Sequence, residues 1–430
     1  MGQYTVDVRE FGAKCDGWTD DTVAAQAALD SVAQVASPAT STGGIVYVPS
    51  GYMMVRGLDQ KNHVYMRGAG MFSTTIKLIA GSTKDVVKLH TSSGPADPNA
   101  GYCGIFDLTI DGRKSSQGRT VRDGILSGST RITSATANFS LADNGKWVRG
   151  TGIPYGVTMA CVNSTTAILS VPATVGGTTP VSGVSLQIAP AMHGISIVTN
   201  PLNTKAVADP YFDLHHYLNN VHVYMATDNG VHMNGRSASV LDNVFVESCG
   251  GHGILSAYDT IISNCQAGSN TFDGFNSNAH SHIALTACKS FLNGGAGYHL
   301  TGGSSLAGMQ ITTCSAQNNR QQGFFVDGTY RVVGSALISD TNSQAGSGLF
   351  AGYEVKAARH CDISGVSVQS AQAGASFYTQ SNGLRLWNGS DLNVIQLSHS
   401  SAGGASLVGS ALTTDSVLLA NRVIMNAKAL

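Results

Sequence analysis

Ten carboxylates stand between Tyr211 and Asp362: Asp213, Asp228, Asp242, Glu247, Asp259, Asp273, Asp327, Asp340, Glu354 and Asp362. Hydrolysis of a glycosidic bond takes two such groups at ~5 to 9 Å, one as acid and one as nucleophile or base. Glu247, Asp228 and Asp273 are the expected set, because they stand six, two and one residues before Gly253, Gly230 and Gly274. Each is also an ordinary turn carboxylate, so its setting must decide. Elimination beside a carboxylate would instead need a base and a cation, for which His232, His299, Lys289, Arg236 and Tyr224 are the available parts. His232, Asn276, His299, Lys289 and Arg236 are expected to bind hydroxyl-rich substrate.

What could bring these residues together is a repeat. From Leu218 to Leu349 a short apolar strand, a polar turn and a glycine recur, with Gly230, Gly253, Gly274, Gly297, Gly323 and Gly348 spaced by 23, 21, 23, 26 and 25 residues. Such a period marks a solenoid. Nine residues before each glycine stand Val221, Val244, Cys265, Cys288, Cys314 and Ser339, and one after stand Val231, Ile254, Phe275, Tyr298, Phe324 and Leu349. These are inward columns of stacked parallel strands, ~4.8 Å apart. Two after each glycine, the outward column includes His232, Asn276 and His299; four after, it includes Asn234, Asn278, Thr301 and Asp327. Asn270, Asn293 and Asn319, aligned with Gln344, predict an amide ladder along one turn. The spacing therefore predicts an all-β parallel β-helix, its cysteines being small buried hydrophobes of a chain made in a reducing compartment.

Composition fits that reading and excludes others. Of 430 residues, 51 are glycine and 12% are charged, with 25 Lys+Arg against 26 Asp+Glu and a net charge of -1. Hydrophobic residues make up 42%, too many for a disordered chain. No basic excess invites nucleic acid. No apolar run approaches the ~20 residues of a membrane helix. The chain opens without a basic and apolar leader, as expected if it is trimmed or leaves the cell by another route. No CxxC occurs, and no metal or other cofactor is expected.

The first hundred residues differ. TDDTVAAQAALDSVAQVA (Thr19 to Ala36) has apolar residues at helical spacing behind acidic cap candidates, and one helix there would cover the first coil. VREFGAKCDGWTDDTVAAQAALDSV, GGIVYVPSGYMMV and FDLTIDG together resemble the opening of the pectate-lyase-like right-handed parallel β-helix superfamily, shared by phage tailspikes, exopolysaccharide depolymerases and mannuronan C-5 epimerases. The resemblance covers Val6 to about Gly112 closely and Met192 to about Ala351 as rung pattern. It implies a polysaccharide-binding and polysaccharide-cleaving protein, a hydrolase before a lyase, in a virion tail or outside the cell. A homotrimer is implied too, and calcium in some relatives. A non-catalytic receptor-binding or structural tail fibre is the alternative. Epimerase chemistry is disfavoured: the YGFDPHE signature aligns with Asn229 to Gly235 and keeps only its glycine. TDNGVH and CGGHGILS resemble polygalacturonase motifs but lack the following aspartate pair.

Three regions are expected: 1–114 with the cap and first coils, an inserted β module at 115–190, and the main coils with a closing segment at 191–430. The insertion is rich in Ser, Thr and Val, and its Ala135 to Met159 stretch resembles a β module of phage tail proteins. It is read as a structural or subunit-contact element, with carbohydrate binding as the alternative.

Overall fold

The computed structural model describes residues 4–35, 43–61, 63–90, 102–198, 215–234, 238–278, 282–302, 308–346, 348–369, 378, 380–387, 389–401, 412–414 and 421–429. Parallel strands stack into two long sheets, of 19 and 11 strands among the described residues. In the second sheet Ile254 pairs with Phe275, Phe275 with Tyr298, Tyr298 with Phe324 and Phe324 with Tyr353. Like therefore lies on like inside the coil. The Phe275, Tyr298, Phe324 and Tyr353 rings stack with centroids 4.9 to 5.0 Å apart and nearly parallel planes. Each buried tyrosine needs a partner for its hydroxyl. Tyr298 donates to the Cys288 carbonyl at 2.8 Å and Tyr353 to the Leu337 carbonyl at 2.9 Å.

The coil turns its corners at single residues with positive φ. Asn220, Asn243, Asn264, Ala287, Thr313 and Ala336 form one such corner, and Met225, Ser248, Ser269, Leu292, Asn318 and Thr341 the next. Asparagine is the non-glycine residue most at ease there, and the others are held by the ladder bonds on either side.

The amide ladder forms, with one correction. Asn270, Asn293 and Asn319 continue to Asn342, not Gln344. The inward aromatic column likewise continues to Tyr353 after Gly352, while Leu349 is exposed. The turn before that strand carries extra residues, so Gly348 sits within the turn and the register glycine comes later. The column shifts with it, and Ala316 rather than Cys314 faces Ser339. Fully buried Asn293 accepts from the Asn270 backbone at 3.0 Å and donates to the Ala267 carbonyl at 3.0 Å. Asn293→Ala should therefore cost about 3 kcal/mol in chemical denaturation, because buried partners on both neighbouring rungs lose their bonds. An unchanged midpoint would show that the ladder only decorates the turn.

At the N-terminal end the helix Thr22–Val35 lays Ala25, Ala28, Leu29 and Val32 on the core. Between Arg119 and Ala189 a six-stranded antiparallel sheet closes around a separate core that includes Leu126, Ile132, Val148 and Leu186. It leaves the solenoid after the strand Cys103–Asp111 and returns before the strand Ile195–Val198, both of which pair with coils on each side.

Candidate active site

The outer face of the second sheet carries the polar stripe. In register along it stand Ser196, His232, Leu255, Asn276, His299, Phe325, Glu354 and Arg385. Two residues further along each strand, Thr301, Asp327, Lys356 and Trp387 form a second row. Strand alternation puts the intervening residues in the core, so both rows face outward together.

Asp273, in the turn before its strand, is the hub. Its Oδ1 accepts the Ala296 backbone N–H at 2.7 Å and its Oδ2 accepts from Asn276 Nδ2 at 2.8 Å. His299 Nδ1 and His252 Nδ1 each lie 3.2 Å from the same Oδ2. Burial opposes the charge, yet hydrogen bonding by the imidazoles, and their positive charge when protonated, holds this carboxyl well below the usual carboxylate range. The two rings differ in role. His252 Nδ1 accepts the Asp273 backbone N–H at 3.2 Å, so in the neutral ring it has no proton to offer. His299 Nδ1 is then the imidazole donor to the ionised Asp273, a tautomer assigned from that charge. The lone pair falls on His299 Nε2, which has no hydrogen-bond partner among the described residues and lies 3.9 Å from Asp327 Oδ2.

Around this pair the groove is aromatic and cationic. His299 stacks on Phe325 at 4.7 Å, and Lys356 Nζ lies 3.3 Å from Asp327. Beyond them buried Glu354 accepts from Gln322 Nε2 at 2.8 Å and Trp387 Nε1 at 2.9 Å, which fixes the indole beneath the Arg385 guanidinium.

Asp228 occupies the corresponding turn nearer the module, but it is sealed. Its side chain has no exposed surface; Arg149 Nη2 lies 3.0 Å and the Tyr155 hydroxyl 3.2 Å from Oδ1, and His193 Nδ1 3.4 Å from Oδ2. Burial outweighs the arginine and pushes this carboxyl up to about 7. The neighbouring His232 ring, 4.0 Å from His193, is pushed down to about 4 by burial and by His252.

The expected site residues thus divide. Asp273, Asn276 and His299 meet directly, and His232 lies in register on the same face. Asp228 shares the turn but is closed off from substrate by the module. Glu247 is not brought to this face. It ends a strand of the first sheet and pairs with His222 Nε2 at 3.2 Å, because the positive-φ corner at Ser248 turns the chain between it and the groove. Lys289 is also on the first sheet, exposed and over Phe291. Arg236 lies outside the described residues. Sequence reasoning missed His252, Lys356, Glu354 and Trp387 as groove residues; Glu354 and Lys356 follow from the outward columns once the register glycine is Gly352, and Trp387 from Gly383 on the next coil. Arg149 and Tyr155 carried no such signal, since they reach the site from the insertion. Among the described residues no group of three His, Cys, Asp or Glu is arranged to hold a metal ion.

Comparison with known proteins bears on this architecture. A family model described as rhamnogalacturonase A/epimerase, pectate lyase-like, matches residues 5–145, and one for a right-handed beta helix region matches 214–338. Alginate lyase 7 of Azotobacter vinelandii is 40% identical over 130 residues, 28% of this chain and 14% of that protein. Mannuronan C5-epimerase AlgE5 of the same organism is 37% identical over 131 residues, 28% of this chain and 12% of that protein. The chain thus matches only a small part of these relatives' length. Among solved structures, the A-module of the Azotobacter vinelandii mannuronan C-5 epimerase AlgE6 superposes with a TM-score of 0.62 at 17% identity, covering 99% of each chain. The enzymatically active domain of bacteriophage CBA120 tailspike protein 2 gives 0.59 at 13% identity, covering 93% of this chain and 48% of that one. The chain thus folds as a parallel β-helix, and over residues 5–145 it is similar to the pectate-lyase-like family model.

Proposed function

We propose that the protein binds an acidic polysaccharide along the outer face of the second sheet and cleaves it by elimination. The carrying observation is the Asp273–His299 pair: a buried, ionised aspartate fixes Nδ1 and leaves Nε2 without a hydrogen bond. An imidazole so held is a general base. In the reaction Nε2 takes the proton from the carbon beside a uronate carboxylate. The electron pair becomes a carbon–carbon double bond and the glycosidic oxygen leaves, gaining a proton from solvent. Lys356 neutralises the carboxylate, which lowers the energy of the developing anion. For Nε2 to reach substrate, the chain must displace Asp327 from above it. Hydrolysis is less well supported, because Asp228 is sealed, Glu247 lies on the other sheet, and the other groove carboxyl beside His299, Asp327, is ion-paired with Lys356. The similarity to proteins named an alginate lyase and mannuronan epimerases supports an acidic polysaccharide as the substrate class. By the same reading the protein works without a metal, as a homotrimer in a virion tail or outside the cell.

Incubation with uronate and neutral polysaccharides tests this, following reducing ends and the ultraviolet absorbance of unsaturated sugars. Both signals should rise, and with uronates only. Reducing ends without absorbance would replace elimination by hydrolysis. A second reading, a glycan-binding tail protein without cleavage, is favoured by the covered Nε2; binding with neither signal would establish it.

A further inference from the structure

A cleft of about 920 Å³ lies between the module and the turns of the solenoid, apart from the groove on the second sheet. Lys114, Arg149 and Arg320 line it, and among the described residues no carboxylate does. In a chain with balanced charge, three cations around one concavity are a local excess, and a concave low-dielectric wall focuses their field. Their states differ. Arg149 is committed to Asp228 at 3.0 Å, and among the described residues Lys114 Nζ donates only to the Ser248 carbonyl, at 2.5 Å. Exposed Arg320 has no ion pair among the described residues. Gln187, Gln321 and Thr120 supply neutral donors and acceptors, and Phe272 an apolar surface, which is the mix that fits hydroxyls and ring C–H groups.

A wall separates cleft and groove. Arg149 and Phe272 line the cleft, and Tyr155 behind them lies 4.9 Å from Phe272 and 4.3 Å from His252, the neighbour of Asp273. We infer that the cleft is a second glycan site, which holds a carboxylate-bearing segment of a polysaccharide away from the reacting groove. The choice of a glycan over another organic anion rests on the proposed function; the anionic character rests on the cleft alone. Such a site would keep a long chain attached while another part of it enters the groove, a gain through effective concentration.

The test is calorimetric titration of the full chain with alginate oligosaccharides and, as a neutral probe, dextran oligosaccharides. Arg320→Glu should weaken alginate binding about tenfold or more, the loss of one charge-assisted contact, and leave turnover of the shortest substrate unchanged. Lys114→Gln should weaken it in the same direction, and salt should weaken the wild type more than either variant. Wild-type affinity in both variants, or equal binding of dextran, would overturn the cleft site. The two ideas fail separately. Cleavage with unchanged affinity in Arg320→Glu removes the cleft and spares the groove; weakened affinity without any cleavage does the reverse.

Discussion

Asp273→Asn should lower turnover of uronate polysaccharide by roughly 10³- to 10⁴-fold, the scale seen when the carboxylate behind a catalytic histidine is neutralised. The amide keeps the shape but not the charge. It no longer selects the tautomer of His299 that protonates Nδ1, and the lone pair is lost from Nε2 in much of the population. His299→Ala should cost at least ~10²-fold, since it removes the base itself while its neighbour Phe325 remains. The two losses should not multiply in the double variant, because the residues act as one unit. Initial rates by ultraviolet absorbance check this, with thermal unfolding as a control because Asp273 is buried. Full turnover in a folded His299→Ala would remove the assignment. A rise in KM with kcat unchanged would make these residues binding groups.

The second large effect concerns stability. Arg149→Met leaves Asp228 buried without its cation; because this carboxyl keeps its proton up to about 7, the charge penalty should stay below about 1 kcal/mol at pH 7 and grow by up to about 1.4 kcal/mol per pH unit above it, and adding Asp228→Leu should abolish that growth. The pH dependence distinguishes this from lost packing. Asp228 titrates in the folded protein at about 7, above its ordinary value, so the folded state holds the proton more tightly. Its contribution is full below ~4 and is lost as pH rises through 7, at up to about 1.4 kcal/mol per pH unit. Removing the arginine raises that pKa further. Arg149→Met should therefore be impaired far more at about pH 8 than at about pH 5, where the carboxyl is neutral. Thermal unfolding across that range checks it, and an equal loss at both ends would mean that the arginine serves only as packing over Trp147.

The stripe of His232, Asn276 and His299 was legible because strands alternate and each coil restarts at a glycine, so a fixed offset stays on one face. The same counting failed for Glu247. An offset along the chain becomes a direction in space only if no corner intervenes, and Ser248 is a corner. The sixth coil was misread where several small residues follow Asn342, because a glycine within a turn and a glycine entering a strand look alike in sequence. The hub at Asp273 needed distances, since His252 and His299 belong to neighbouring coils. Arg149 and Tyr155 could not be foreseen, as nothing periodic ties the module to Asp228.

The module leaves and rejoins the solenoid within one turn, and the strands before and after it keep their neighbours on both sides. Natural history can therefore exchange such an insert as a cassette, trading one surface for another while the scaffold is inherited intact. The exchange has one constraint. Any replacement must bring its own counterpart for Asp228, or arrive together with a change at that position, so the two loci are expected to descend as a pair.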